Sequence, residues 1–553
     1  MQIPTTMAWL DSPADDRGIF LLPGRATSMA EPEFTSYLTI AQRAGAVCGN
    51  LFDLGVPNDA CVLVMVAGGP GLIAAFYGVQ SAGAVPSVMP PPPVIGPVAQ
   101  HEQALRRSVS ALNAALVVVD RGHCDYAVQA LGPAGTRVVA LDDLLQGRPA
   151  RRAASETALI QFTSGTRGEP RAVRIGHATL DNNVAAIRQW EGAGPLDAWA
   201  SWLPMHHDMG LIGCMVVPVT GMNSVWLTSP QAFIQNPLPY LRTFGCGDAT
   251  ISAMPAFGLD RIVAKVDEEA LQDMDLSGWR MVIVGAERID PRTVRRFTAL
   301  LAPRGLSQTA VTPAYGLAES TLAVTGGLAG DCWRQLRLRR AALRPGCAVE
   351  VIEDESSDAV GVVSCGQPLN GLRVDIEHPV EKSPLAEGYL GEIVVRGTSV
   401  AQGYLYDDGD RLRNGILRTG DMGFLHEGQL YVLGRAGDSV KIRGGSVFAE
   451  DLELALRDHG IAAHRICVVL GTSDYGPVAL AFLEAPDATE IQAVRDVLRG
   501  GSWGGRSEVI ALDRGQIPRT TSGKQRRYQL WHAWNEQHQS LAVSPQASRE
   551  ESQ

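Results

Sequence analysis

The sequence predicts an α/β protein: a large N-terminal domain of stacked α/β subdomains with a small β subdomain, followed by a small, mobile α+β C-terminal domain. Two observations favour this architecture. Short apolar runs alternate with amphipathic segments through the first part of the chain, and from about residue 360 short strands follow one another closely, with glycine turns. At 553 residues the chain is long enough for two or more domains.

Four apolar runs, most of them rich in β-branched residues, are predicted strands: 61–66, 115–120, 137–141 and 281–285. Amphipathic segments such as 99–113 and 291–303 are predicted helices. Strands that alternate with helices indicate parallel sheets covered by helices.

Residues 61–100 contain no charged side chain, which raises the question of a membrane span. The turn-forming stretch "AGGPG" at 67–71 and the prolines at 90–93 interrupt the segment, so we expect a buried strand–helix unit instead. The N-terminus lacks the basic region and apolar core of a signal peptide. We therefore expect no membrane span and a cytoplasmic location.

The charge and the cysteine content argue against other classes of protein. The net charge of −11 argues against a nucleic-acid-binding protein, which needs a basic face for the phosphate backbone. The nine cysteines are scattered without a CxxC pair, which is typical of reduced, mostly buried cysteine.

The sequence pattern changes a second time after the strands "GLRVDI", "GEIVVRG" and "GQLYVLGR" of the β subdomain. We expect a large domain over 1–433, a hinge at 434–438, a small domain over 439–535 and a disordered tail over 536–553. Within the small domain the pattern predicts helices near 449–458 and 488–499 and a strand at 465–470.

The first candidate site is "LIQFTSGTRGEPR", residues 159–171. Its glycines let backbone N–H groups converge on an anion, and its hydroxyls add donors, so the loop is typical of a phosphate site. It is not a P-loop, because the Gly-Lys-Ser/Thr ending is missing. A plain turn between strand and helix is the alternative.

Three further motifs carry chemistry. In "TPAYGLAEST", Tyr315 can stack on a base and Glu319 can hold a divalent metal over phosphates. In "LRTGDMG", we expect Asp421 in a tight turn, where its carboxylate can accept both ribose hydroxyls. In "IPRTTSGKQRR", Lys524 is a mobile cation in a flexible loop. Each has a structural alternative: a helix cap, an Asx-turn and a solvated lysine, respectively.

Taken together, the motifs resemble those of one superfamily. The chain contains, in order, "TSGTRGEPR", "VGAER", "AYGLAES", "RTGD", "GRAGD" and "TSGK". This order resembles the adenylate-forming superfamily of acyl-CoA synthetases, luciferases and nonribosomal-peptide adenylation domains. "SWLPMHHDMGLIG" (201–213), "LSGWRMVIVGAERI" (276–289) and an extra segment near 331–362 resemble the fatty acyl-AMP ligase branch. The resemblance covers roughly residues 35–530.

The resemblance implies a reaction. Such enzymes use ATP and Mg²⁺ to convert a carboxylic acid into an acyl-adenylate with release of pyrophosphate, and then transfer the acyl group. We expect a fatty or related acid as substrate and the phosphopantetheine arm of an acyl carrier protein as acceptor, in natural-product or lipid biosynthesis. One alternative is activation of an amino acid or other small acid for a carrier protein or coenzyme A. The other is a catalytically degenerate nucleotide-binding protein.

The resemblance also implies roles for individual residues. Lys524 would bridge the attacking carboxylate and the α-phosphate, Glu319 would bind Mg²⁺, and Asp438 would be the hinge residue. The implied ATP-binding residues form the phosphate loop, the adenine side and the ribose side: Thr163, Ser164, Gly165, Thr166, Gly168, Arg171, Gly285, Ala286, Glu287, Tyr315, Gly316, Ala318, Ser320, Asp421 and Arg435.

The acyl pocket is implied to lie beside His207, Asp208, Met254 and Pro255. The adjacent His-His-Asp residues also suggest a metal site, but adjacent histidines rarely aim at one ion. Met254 stands in a segment where the family typically has Gly-Gly-Pro-Asn, so we expect a pocket for a shorter or differently shaped acid. Flexible lining by methionine is the alternative.

Three other positions bear on the phosphates and the acceptor. Arg171 replaces the usual lysine and Arg167 a small hydroxylic residue, and both keep positive charge at the phosphates. Lys441 matches a lysine of coenzyme A-using relatives, whereas the extra segment near 331–362 favours a carrier protein.

Overall fold

The computed structural model describes most of the chain. The described residues are 3–23, 31–93, 98–132, 135–151, 154–163, 171–353, 359–406, 411–442, 445–457, 459–473, 476–500, 506–519 and 525–542.

Local capping chemistry sets several helix starts. Ser36, Ser229 and Asp290 each accept a hydrogen bond from a backbone N–H in the first turn of the helix that follows. In chain order the α-helices are α1 Tyr37–Asp53, α2 Pro70–Ser81, α3 Val98–Leu112, α4 Cys124–Leu131, α5 Leu141–Leu144, α6 His177–Glu191, α7 Val217–Thr220, α8 Pro230–Gln235, α9 Leu238–Gly245, α10 Ala256–Lys265, α11 Pro291–Leu301, α12 Ala449–Arg457, α13 Ala488–Gly500 and α14 Arg527–Ala542.

The strands are short and most of them are buried. In chain order they are β1 Gly18–Leu21, β2 Glu33–Ser36, β3 Cys61–Met65, β4 Val85–Val88, β5 Leu116–Val119, β6 Arg137–Ala140, β7 Thr157–Phe162, β8 Ala172–Gly176, β9 Trp199–Ser201, β10 Val225–Leu227, β11 Ile251–Met254, β12 Met281–Val284, β13 Val311–Gly316, β14 Ala323–Gly326, β15 Gln335–Arg339, β16 Ala359–Val363, β17 Gln367–Pro368, β18 Leu372–Glu377, β19 Gly391–Gly397, β20 Gly403–Tyr404, β21 Leu412–Arg413, β22 Ile416–His426, β23 Gln429–Arg435, β24 Ser439–Ile442, β25 Gly445–Phe448, β26 Ile466–Ser473, β27 Gly476–Glu484 and β28 Arg506–Leu512.

The largest sheet has nine strands in the order β17-β14-β13-β12-β11-β9-β10-β1-β2. Its centre, from β13 to β1, is parallel, and its outer strands are antiparallel. The carboxyl ends of β11, β12 and β13 therefore meet at one edge, where open α/β sheets bind ligands.

The charge-free segment forms a buried strand–helix unit, as predicted. It supplies β3, α2 and β4, and the parallel sheet β4-β3-β5-β6 contains three of the predicted strands. Among the helices of the described residues, none combines the length and apolarity that crossing a membrane requires.

The β subdomain is antiparallel, as predicted, with the order β18-β19-β22-β21 and β23 paired with β22. A separate three-stranded sheet, β20-β8-β7, contains the two strands that flank the predicted phosphate loop.

The C-terminal part has its own apolar core between the sheet β26-β27-β28 and helices α12 and α13, including Leu452, Val468, Leu483 and Val494. The predicted helices and strand of this part are confirmed. Helix α14 continues to Ala542, beyond the predicted start of the tail at 536, and residues 543–553 lie outside the described residues. The boundaries at 433 and 439 stay predictions.

Candidate active site

The base of the predicted phosphate loop is closed by two hydrogen bonds between Thr163 and Arg171. Thr163 N donates to Arg171 O at 2.9 Å, and Arg171 N donates to Thr163 Oγ1 at 3.4 Å. These contacts continue the antiparallel β7–β8 pair, so the loop leaves and rejoins the sheet at one place. Residues 164–170, with the predicted Ser164, Gly165, Thr166 and Gly168, lie outside the described residues.

Tyr404 lies between the two oppositely charged residues of the site. Its strand β20 pairs with β8, with Tyr404 opposite Val173. The guanidinium carbon of Arg171 lies 5.0 Å from the centroid of the Tyr404 ring. The Tyr404 hydroxyl donates to Glu319 Oε1 at 2.9 Å. Tyr404 is not among the residues predicted from the sequence, because the local sequence does not reveal the strand pairing that brings it here.

Glu319 lies in a tight turn after β13. A side chain at Gly316 would meet the Leu322 carbonyl oxygen at 1.9 Å, so the turn requires glycine there. Ala318 and Ser320 are buried, and Ser320 Oγ donates to the Leu317 carbonyl at 3.0 Å. The predicted residues Gly316, Ala318 and Ser320 thus shape the turn that presents the half-buried Glu319.

Tyr315, Asp421 and Arg435 form one network. The Tyr315 hydroxyl donates to Asp421 Oδ2 at 2.6 Å, and Arg435 Nε lies 3.2 Å from Asp421 Oδ1. Our prediction of a tight turn at Asp421 is wrong: the residue lies within β22, opposite Arg435 of β23. The turn-like feature is Gly420, with φ +74°, one residue earlier.

The electrostatics of this network keep its donors protonated. Burial, followed by the charge of Asp421, raises the pKa of Tyr315 well above its ordinary value. Burial and then Glu319 raise the pKa of Tyr404 to about 12. Burial lowers the pKa of Arg435, but Asp421 and the other nearby groups more than offset it, so that pKa is raised overall. At neutral pH both tyrosines therefore donate and Arg435 is a cation.

The predicted adenine-side residues follow β12. Ala286 has φ +68°, which is uncommon for a residue with a side chain. Gly285 N donates to Met254 O at 3.3 Å, and Glu287 Oε1 accepts from Phe257 N at 2.7 Å at the start of α10. These contacts hold the loop against the carboxyl end of β11.

The predicted acyl-pocket residues lie on two segments beside this edge. Asp208 Oδ1 accepts from Met209 N at 2.8 Å, immediately before a π-helix, Met209–Val216. Elements of this rare kind occur frequently at functional sites. The rings of His206 and His207 lie 4.4 Å apart, and burial, then His207, lowers the pKa of His206 well below its ordinary value.

Met254 is fully buried at the end of β11, in a core cluster that includes Trp202 and Phe233, whose rings are stacked at 4.1 Å. Pro255 separates it from α10. Across the described residues, no group of three or more His, Cys, Asp or Glu side chains could hold a metal ion by itself.

The predicted hinge residue Asp438 ends a short 3₁₀ segment, Ala436–Asp438, and one of its oxygens lies 3.5 Å from Arg527 Nη1. Lys524 lies outside the described residues, between Arg519 and Gln525, which form an isolated antiparallel bridge. The structure thus brings Arg171, Glu319, Tyr315, Asp421 and Arg435 into one region and leaves Lys524 as a sequence-based expectation.

Comparisons with known proteins identify the family. Residues 22–405 match the AMP-binding enzyme family. The chain is 30% identical over 538 residues to a 4-hydroxyphenylalkanoate adenylyltransferase of Mycobacterium marinum, covering 89% of this chain and 85% of the relative. It is also 30% identical over 401 residues to a medium-chain-fatty-acid–[acyl-carrier-protein] ligase of Moorena producens, covering 67% and 66%.

A solved structure agrees with this assignment. A structure from a study of fatty acyl-adenylate ligases of E. coli and L. pneumophila superposes with a TM-score of 0.89 at 25% identity, covering 98% of this chain and 99% of the other. The chain therefore belongs to the AMP-binding enzyme family, ligases that form acyl-adenylates from ATP with Mg²⁺ as the usual metal.

Proposed function

We propose that this protein activates a fatty or related carboxylic acid as its acyl-adenylate and transfers the acyl group to the phosphopantetheine thiol of an acyl carrier protein. The observation that carries the proposal is the grouping of Arg171, Glu319, Tyr315, Asp421 and Arg435 around one region. The carrier-protein ligase of Moorena producens supports the choice of acceptor.

In the first half-reaction a carboxylate oxygen attacks the α-phosphorus of ATP. The bond from that phosphorus to the bridging oxygen breaks, and pyrophosphate leaves with the electron pair. The obstacle is the approach of two anions, so cations aimed at the phosphates stabilise the transition state most. We assign Arg171 to the β- and γ-phosphates and Lys524 to the space between carboxylate and α-phosphate.

The nucleoside is assigned to the Tyr315–Asp421–Arg435 network. Tyr315 holds Asp421 Oδ2, which orients the carboxylate toward the ribose hydroxyls. We assign the Tyr315 ring to one side of the adenine and the 285–287 loop to the opposite side. Arg435 balances the charge of the buried Asp421 and is assigned to the ribose or phosphates.

The residues present fit Mg²⁺, which takes one or two carboxylates together with phosphate oxygens. Glu319 is half-buried, its Oε1 accepts from Tyr404, and within the described residues its Oε2 makes no hydrogen bond. Glu319 would thus hold the ion with one oxygen. Mg²⁺, when bound, neutralises phosphate charge.

In the second half-reaction the phosphopantetheine thiol loses its proton, its sulfur attacks the acyl carbonyl, and AMP leaves. The extra segment near 331–362 supports a carrier protein over coenzyme A as acceptor. It forms the β15–β16 hairpin, and Nη1 of its Arg340 lies 3.8 Å from Oδ2 of Asp451 in α12. A hairpin that touches the C-terminal part restrains the motion on which the coenzyme A reaction depends.

A second candidate function differs only in the carboxylic acid that serves as substrate. Met254 is fully buried at the end of β11, and the relative from Mycobacterium marinum is an adenylyltransferase of 4-hydroxyphenylalkanoates. Both observations favour a short or aromatic acid over a long fatty acid. A related variant activates an amino acid or another small acid for a carrier protein or for coenzyme A.

Acid-dependent acyl transfer separates these candidates. The purified chain is incubated with ATP, Mg²⁺ and either holo-acyl carrier proteins or coenzyme A, across straight-chain, arylalkanoic and amino acids. Mass spectrometry should detect an acyl adduct on a carrier protein and none on coenzyme A. Acyl-coenzyme A as the main product would contradict the proposed acceptor, and product from amino acids alone would contradict the proposed substrate.

A further inference from the structure

Tyr404 touches both charged groups that the proposed function assigns to the triphosphate and its metal. Its hydroxyl donates to Glu319 Oε1 at 2.9 Å, and its ring lies beneath the guanidinium of Arg171 at 5.0 Å. A single side chain thus fixes the separation of a carboxylate and a cation that come from distant parts of the chain.

The backbone around Tyr404 is rigidly tied to the same two partners. Gln402 N donates to Arg174 O at 3.0 Å and Leu405 N to Ala172 O at 2.8 Å, which pins this segment to the strand that follows Arg171. Ala401 N donates to Glu319 O at 2.9 Å. The segment 401–405 therefore holds Glu319 through its main chain as well as through its carboxylate.

The chemistry of the two contacts differs. The hydroxyl occupies one carboxylate oxygen and leaves the other for a ligand, which is how an outer-shell hydrogen bond orients a metal ligand. The ring attracts the planar guanidinium through its π-face, an arrangement that suits arginine better than lysine.

We propose that Tyr404 is a positioning residue that orients Glu319 for the divalent metal through its hydroxyl and Arg171 for the phosphates through its ring. This inference rests on the proposed function. Because the hydroxyl also lies within hydrogen-bond reach of the Arg171 guanidinium, removal of the hydroxyl should affect the metal most, whereas removal of the ring should also weaken nucleotide binding strongly.

The test separates the two contacts. Tyr404→Phe keeps the ring and removes the hydroxyl, whereas Tyr404→Leu removes both. Tyr431→Phe is the matched control, because Tyr431 is a buried tyrosine of β23 that stacks on Phe424 at 5.1 Å. Binding of α,β-methylene-ATP is measured by calorimetry without metal, and Mn²⁺ binding to the protein–nucleotide complex by electron paramagnetic resonance.

We expect Tyr404→Phe to weaken Mn²⁺ binding about tenfold or more, the usual cost of losing an outer-shell partner, and to lower metal-free nucleotide affinity less than Tyr404→Leu does. Tyr404→Leu should weaken both, and Tyr431→Phe neither. Thermal unfolding reports whether each variant is folded; if Tyr404→Leu does not fold, Tyr404→Phe alone decides the hydroxyl contact.

Unchanged Mn²⁺ affinity in folded Tyr404→Phe would overturn the role of the hydroxyl, and unchanged nucleotide affinity in folded Tyr404→Leu would overturn the role of the ring. Failure of the wild-type protein to bind the analogue at all would contradict the proposed function instead, so the two failures are distinguishable.

Discussion

Arg288 forms a buried ion pair with Asp451 and so joins the adenine-side loop to helix α12. The two side chains are 8% and 1% exposed. Arg288 also donates from Nη1 to Leu433 O at 3.1 Å and from Nη2 to Gly361 O at 3.3 Å. This arginine is adjacent to Glu287, so the predicted adenine-side loop and the C-terminal part share one anchoring point.

This ion pair gives a stability prediction. Arg288→Ala leaves the Asp451 carboxylate buried without its principal partner, which should lower the free energy of unfolding by about 3–5 kcal/mol. The double variant Arg288→Met/Asp451→Leu removes both charges and should be less destabilised than Arg288→Ala. Urea denaturation measures both; a double variant less stable than Arg288→Ala would contradict the account.

Glu191 should make stability fall as pH rises. Burial raises its pKa to about 8 in the folded protein, against an ordinary 4.5, although Arg188 and Arg280 oppose the shift. Between these values the folded state holds a proton that the unfolded state has lost, so raising the pH destabilises the fold, by up to about 1.4 kcal/mol per pH unit.

Glu191→Gln should remove the contribution of Glu191 to the fall of folding stability with rising pH. The melting temperature of wild type and variant, followed from pH 5 to pH 8 by calorimetry, measures it. Parallel pH profiles for the two proteins would show that Glu191 does not titrate in this window.

Asp421 should discriminate ribose from deoxyribose. If its carboxylate accepts the ribose hydroxyls, Asp421→Ala should raise the KM for ATP by about 10- to 100-fold, the scale of a lost hydrogen bond to a charged group. Wild type should prefer ATP over 2′- or 3′-deoxy-ATP, and the variant should lose that preference. A variant that still discriminates as wild type does would place the ribose elsewhere.

Met254 should limit the length of the acid. Met254→Ala empties a fully buried position and should cost about 2–5 kcal/mol of stability, while shifting activity toward longer acids. Met281→Ala is the matched control, because Met281 is also buried but lies at the opposite end of the neighbouring strand β12. A similar shift in both variants, or in neither, would show that Met254 does not line the pocket.

Local sequence patterns predicted individual strands and helices well, but they predicted the pairing of segments far apart in the chain poorly. The predicted strand at 61–66 and helix near 449–458 are present because apolar periodicity and flanking turn residues act within a few positions. Asp421 was predicted in a turn because of its Thr-Gly neighbours, yet its pairing with Arg435 of β23 holds it in a strand.

The parts of the site that escaped prediction depend on contacts between segments far apart in the chain. Tyr404 lies on a two-residue strand, which is too short to show a periodic sequence pattern, and its proposed role depends on its place beside β8. The pairing of Arg288 with Asp451 likewise depends on how α12 docks, and neither residue carries a motif for it.

Lys524-dependent adenylation is tested by exchange of labelled pyrophosphate into ATP across a panel of acids, with wild type and Lys524→Ala. The proposed reaction should place label in ATP only with the true acid substrate. It also predicts a loss of about 10²–10³-fold in Lys524→Ala, the scale of a lost donor at a developing charge. Exchange without any acid, or undiminished exchange in Lys524→Ala, would contradict it.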